Sequence, residues 1–129
     1  MAGYRTDLAR ARGLGSAKHG VGAWIAERVT SIALVPLVIW AVYSALLMSA
    51  ADYVAAMLWV HSPLNAVLLC LLLAVGFLHM HAGMRVVAED YVQGLTKTVL
   101  LLINLFVCVL GGTLAIFAVL KIALTAGGY

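Results

Sequence analysis

The chain has 129 residues, enough for one domain; 65% are hydrophobic, only 10% are charged, and the mean hydropathy is +1.10. A soluble domain is typically about 45–50% apolar and about 25% charged, so this composition excludes a soluble globular protein and defines an integral membrane one. The net charge of +3 does not mark a nucleic-acid binder, because five of the eight basic residues (Arg5, Arg10, Arg12, Lys18 and Arg28) precede the first apolar run, where an orientation signal belongs.

Charges divide the rest. There are 23 uncharged residues between Arg28 and Asp52, 32 between Asp52 and Arg85, and 23 between Lys97 and Lys121. A helix of 23 residues is roughly 34 Å long, against a hydrocarbon core of about 30 Å. The expected architecture is therefore an all-α membrane protein: a segment 1–28, then a three-helix anchor over 29–129 with spans at about 29–50, 64–88 and 98–121. The first apolar segment is longer than the h-region of a secretory signal, about 7–15 residues. Pro36 falls inside the first span and predicts a kink.

Residues 52–62 read as an interfacial connection, with Tyr53 and Trp59 at headgroup level and a turn or helix start at His61, Ser62 and Pro63. The basic N-terminal segment predicts a cytoplasmic N-terminus, an outer 51–63 loop, an inner 86–97 loop and an outer C-terminus; Lys121, at the outer end of the third span, has to snorkel. Cys70 and Cys108 lie in apolar segments and read as small hydrophobes. Gly111 and Ala115 form a small-xxx-small pair that lets another helix approach.

The second span ends in "HMHAGMRVVAEDY", residues 79–91. His79 lies well inside the hydrocarbon, where ionisable groups are costly and face protein. Its helix face carries Gly76, Ala82 and Gly83, a flat, shallow surface suited to a porphyrin edge, whereas the face of His81 carries the bulkier Phe77, Leu78, Met84 and Arg85. His79 is thus the candidate haem ligand and His81 a polar contact near the inner rim. The plainer alternative for His79 is a hydrogen bond to a neighbouring helix. One histidine does not complete bis-His ligation; His19, His61 or a partner chain supplies the second, and the positions of His19 and His61 favour the partner.

Arg85 and Glu89 stand at i,i+4 and can simply pair. Glu89 and Asp90 lie near a helix C-terminus, where the macrodipole disfavours negative charge; a solvated loop over 89–93 is the alternative. Tyr91 serves either as an interfacial anchor or as a phenol that donates to a quinone carbonyl. Trp24 and Arg28, in "GVGAWIAERVTS", are i,i+4 neighbours. Arg28 stands at the depth of a propionate on a haem hung from His79, and equally serves as a positive anchor with its tryptophan.

The combination of a basic N-terminal segment, three spans and a His-x₁₁-Tyr element (His79, Gly83, Asp90, Tyr91) resembles the small hydrophobic membrane-anchor subunit of succinate dehydrogenase, respiratory complex II. "RGLGSAKHGVGAWIAERVTSIAL" resembles bacterial members. The resemblance implies that His79 is an axial ligand of haem b, shared with the cytochrome b anchor subunit, that Arg28 lies near the propionates, and that Tyr91 contacts ubiquinone with Asp90 as its acidic neighbour. It implies an iron–sulfur subunit and a flavoprotein subunit as further partners, lipid around the chain, and a bacterial inner membrane with a periplasmic C-terminus. The chain departs from members with His-Asp before the first span, having Gly22 and Ala23 there. Two rival readings are a haem-free anchor of a fumarate reductase and a small transporter subunit; the latter requires a polar path, for which the third span offers only Asn104 and Thr113.

Overall fold

The computed structural model describes residues 6–13 and 20–125. Arg5, Lys18 and His19, singled out above, lie outside the described residues. A short helix, α1 (Asp7–Ala11), precedes three long ones: α2 (Val21–Met48), α4 (Pro63–Tyr91) and α5 (Gly94–Leu124). A nine-residue helix, α3 (Tyr53–His61), lies between α2 and α4. All three long helices are apolar and long enough to cross a membrane, and helices satisfy every backbone group within the segment, as a spanning chain must.

The helices exceed the expected spans. The boundary drawn at residue 28 falls inside α2, so Trp24 and Arg28 stand on continuous helix. Charge marks where the apolar surface stops, not where backbone hydrogen bonding stops. The connection at 52–62 is itself helical: Asp52 caps α3, its Oδ1 accepting from the Ala55 N–H at 2.8 Å. Ser62 ends α3, its N–H donating to the Trp59 carbonyl, and Pro63 opens α4 at a position where a missing N–H costs nothing. Trp59 stacks on Trp40 of α2, with centroids 5.7 Å apart. The α4–α5 link is two residues, Val92 and Gln93, and Gly94 supplies the left-handed φ of +65° that starts α5. Thus 89–91 is helix rather than loop.

α4 packs against both α2 and α5, whereas α2 and α5 do not pack on each other to a comparable extent; α3 rests on α4 and α5. The spans form a row with α4 in the middle. The buried residues among those described are Ser44, Ala66, Ala88, Cys108 and Gly112, all small. Membrane helices meet through small residues because close backbone approach supplies the van der Waals contact. Gly111 and Gly112 receive Phe77 of α4: a Cβ on Gly112 would stand 3.3 Å from the Phe77 ring. The expected close approach at Gly111 is made by α4 of the same chain.

Candidate functional site

His79 sits half-buried on the side of α4 that meets α2. Its Nδ1 lies 3.1 Å from the Thr30 hydroxyl. Thr30 also reaches back to the carbonyls of Ala26 (2.9 Å) and Glu27 (3.0 Å) on its own helix. The imidazole borders an open groove of about 330 Å³ with Ser31, Leu34, Val35 and Val38 of α2. A Cβ added at Gly76 or Gly83 would meet no atom within 4 Å. The face predicted from helical spacing thus leaves room beside His79, although His81 also borders open grooves, so space alone does not separate the two imidazoles. The contact with Thr30 is the hydrogen bond to a neighbouring helix named above as the plainer alternative for His79; it leaves the other ring nitrogen and the space beside it able to meet the edge of a porphyrin.

His81 turns to α5. The Asn104 side-chain amide lies 3.1 Å from His81 Nδ1 and donates to the His81 carbonyl at 3.0 Å. Its Oδ1 accepts from the Cys108 thiol at 3.3 Å. His81 is thus a polar contact, as its bulky face suggests. Thr113 donates to carbonyls of its own helix at 2.7 and 3.1 Å. Both polar side chains of the third span are engaged within the chain, which leaves the transporter reading without its path.

Towards the shared end of α2 and α4, the Arg28 guanidinium lies 5.5 Å from the Trp24 ring centroid. Arg28 is two residues from Thr30, about 3 Å of helix rise towards the end of α2 that lies by α4's C-terminus, but residues i and i+2 do not share a helix face, and Arg28 is not brought into contact with His79. Arg85 pairs with Glu89 (Nε to Oε1, 2.8 Å) in an exposed i,i+4 bridge. Lys97 reaches across the turn to donate to the Glu89 carbonyl at 3.3 Å. Trp24, Glu27, Thr30, His81, Arg85 and Glu89 share a groove of about 530 Å³. Asp90 and Tyr91 are exposed, Tyr91 by 83%, and among the described residues the phenol makes no hydrogen bond. They are not brought to His79: Tyr91 is twelve positions further on, about 18 Å along α4.

His61 stands at the opposite end of α4, sharing a groove with Met57 and Lys121. No cluster of three or more His, Cys, Asp or Glu side chains able to hold a metal occurs among the described residues. Among the described residues His61, His79 and His81 are not gathered at one point. Reasoning from the sequence missed Thr30, and it named Asn104 only as one of two polar side chains of the third span, without its partner.

Fold and site together define a polytopic helical membrane protein with half-buried His79 and His81 bonded to different neighbouring helices. The chain belongs to the succinate dehydrogenase/fumarate reductase transmembrane subunit family, whose sequence model matches residues 2–124. Within that family it is similar to succinate dehydrogenase hydrophobic membrane anchor subunits. The one from Rickettsia conorii is 34% identical over 106 residues, covering 80% of this chain and 84% of the relative. The one from Rickettsia felis is 34% identical over 118 residues, covering 90% and 92%. That of Rickettsia bellii is 32% identical over 106 residues. No solved structure matches the chain.

Proposed function

We propose that this chain is the small anchor subunit of a succinate:quinone oxidoreductase, holding a b-type haem through His79 together with a histidine of the cytochrome b anchor subunit, and contributing Tyr91 and Asp90 to the site where ubiquinone is reduced. The observation that carries the reading is the environment of His79: a half-buried imidazole with one nitrogen on Thr30 and open space beside Gly76 and Gly83. Arg28, one short step along α2, neutralises a propionate. When bound, a haem of this kind supplies a one-electron store between donor and quinone.

The flavoprotein and iron–sulfur subunits oxidise succinate and deliver electrons from the cytoplasmic side of a bacterial inner membrane. The chain then has its N-terminus in the cytoplasm and its C-terminus in the periplasm, and the Arg28–Tyr91 end faces the incoming electrons. Tyr91 donates its phenolic proton in a hydrogen bond to a quinone carbonyl, stabilising charge as it develops on that oxygen. Asp90 orders Tyr91 or the water that delivers protons.

The test is a pair of substitutions in the purified complex. His79→Ala removes or alters the low-spin band of the reduced-minus-oxidised spectrum, while His81→Ala, whose partner is Asn104, leaves its type unchanged. Equal loss in both variants would reject the assignment. The type of spectrum is the readout, because haem retained on a substitute ligand still counts as content.

A further inference from the structure

Resting on the ligation by His79 proposed above, we infer that Thr30 is the positioning residue of that histidine: its hydroxyl accepts the Nδ1–H of the imidazole and leaves the Nε2 lone pair for the iron. A threonine hydroxyl has one proton and two lone pairs. Two carbonyls of the preceding turn, those of Ala26 and Glu27, stand within 3.0 Å of the Thr30 oxygen and take that proton. Towards α4 the oxygen then presents lone pairs. A neutral imidazole carries one N–H and one bare nitrogen. With His79 Nδ1 at 3.1 Å, a bare Nδ1 would set lone pair against lone pair, so Nδ1 bears the hydrogen and Nε2 is the ligating atom.

His81 is held the other way. Asn104 must present its NH₂ to the His81 carbonyl, because a carbonyl only accepts, and its Oδ1 is taken by the Cys108 thiol. The same NH₂ lies 3.1 Å from His81 Nδ1, which therefore accepts, and the His81 proton sits on Nε2. Two histidines two residues apart are thus fixed in opposite tautomers by different helices. Only the one on Thr30 offers a bare outer nitrogen. Metal-bound histidines characteristically donate their other N–H, which fixes the ring and makes it a stronger base.

The experiment compares Thr30→Val, which keeps the shape and removes the hydroxyl, with Thr30→Ser, which keeps the hydroxyl, in the whole complex. In T30V the low-spin spectrum persists. Its haem potential moves positive, because a less basic imidazole stabilises ferric iron less, and haem release to an acceptor protein quickens about tenfold. T30S stays near the unsubstituted values. Unchanged potential and release in T30V, or an equal shift in T30S, would overturn the inference. Should T30V fail to assemble, T30A takes its place with the same readouts. In the unsubstituted complex, proton double-resonance spectroscopy of the ferric haem reads the Nδ1–H directly; a proton that is absent or not hydrogen-bonded also overturns it. His79→Ala separates the two levels: if it leaves spectrum and potential unchanged, the ligation itself fails. If it changes them and T30V does not, only the role of Thr30 fails.

Discussion

Tyr91, the residue proposed to meet the quinone, ends α4. Its ring is 83% exposed and its hydroxyl makes no hydrogen bond among the described residues. Tyr91→Phe removes that hydroxyl and keeps the ring. Loss of one hydrogen bond to developing charge costs on the order of 2–4 kcal/mol of transition-state stabilisation. Quinone reductase activity of the complex should fall tenfold or more, while succinate oxidation by a soluble acceptor fed from the flavin stays near normal. Unchanged quinone reduction would reduce Tyr91 to an anchor. The divergent faces of His79 and His81 were legible in the sequence, since residues i and i+2 do not share a helix face. The partners Thr30 and Asn104 were not. Which helix faces which is a fact of packing between spans, and a helix apolar all round carries no stripe to state it.

Among the elements, α4 bears the most constraint, because it contacts α2 through His79, α5 through His81 and Phe77, and α3 at its start. The Phe77 ring lies over Gly111 and Gly112, where a Cβ would stand 3.0 and 3.3 Å from ring atoms. Gly112→Leu forces the two helices apart, and overpacking of this kind costs about 1–3 kcal/mol. The complex should melt at a lower temperature, with lower yield, and adding Phe77→Ala to Gly112→Leu should recover part of the loss. No recovery would mean that the ring is not what meets the glycine. The small-residue signal was visible at Gly111 in the sequence, but not that the approaching helix is α4 of the same chain. The element limits were visible only at their apolar centres: α2 continues through Arg28 and Trp24 to Val21, and Asp52 was read as a lone charge rather than as the cap of α3.

As a whole, the molecule is a row of three helices and not a closed bundle. No more than 11% of the most apolar stretch of any span is buried. Lipid covers apolar side chains such as Ile32 and Phe117 at no cost, but it offers no hydrogen-bonding partner to the half-buried His79 inside the span. The chain should therefore be stable only with its partner subunits. Expressed alone in mild detergent, it should run as a polydisperse species with little amide protection by hydrogen exchange. A monodisperse chain with strongly protected spans would show that the row is self-sufficient. Three spans came from charge spacing; the heteromeric expectation came from the half ligand set and from His79, Arg85 and Asn104 as polar groups that three helices would not satisfy, yet Arg85 pairs with Glu89, and Asn104 with His81 and Cys108, inside the chain; the open row required the helix order in space.

The length of the helices has a consequence for the bilayer. α2, α4 and α5 have 28, 29 and 31 residues, about 42, 44 and 47 Å at 1.5 Å each, against roughly 30 Å of hydrocarbon. The surplus is uneven: seven residues of α2 precede Arg28 and six of α4 follow Arg85, whereas only three of α5 follow Lys121. With Arg28 and Arg85 set at the edge of the hydrocarbon, one end of the molecule would stand clear of the acyl chains as a rigid collar. Mismatch with a thicker or thinner membrane is taken up by tilt of the apolar waist, and the collar keeps its height relative to whatever docks on it. Quinone reduction should accordingly vary little between vesicles of short-chain and long-chain lipids; a steep dependence on chain length would mean that the collar is drawn into the membrane.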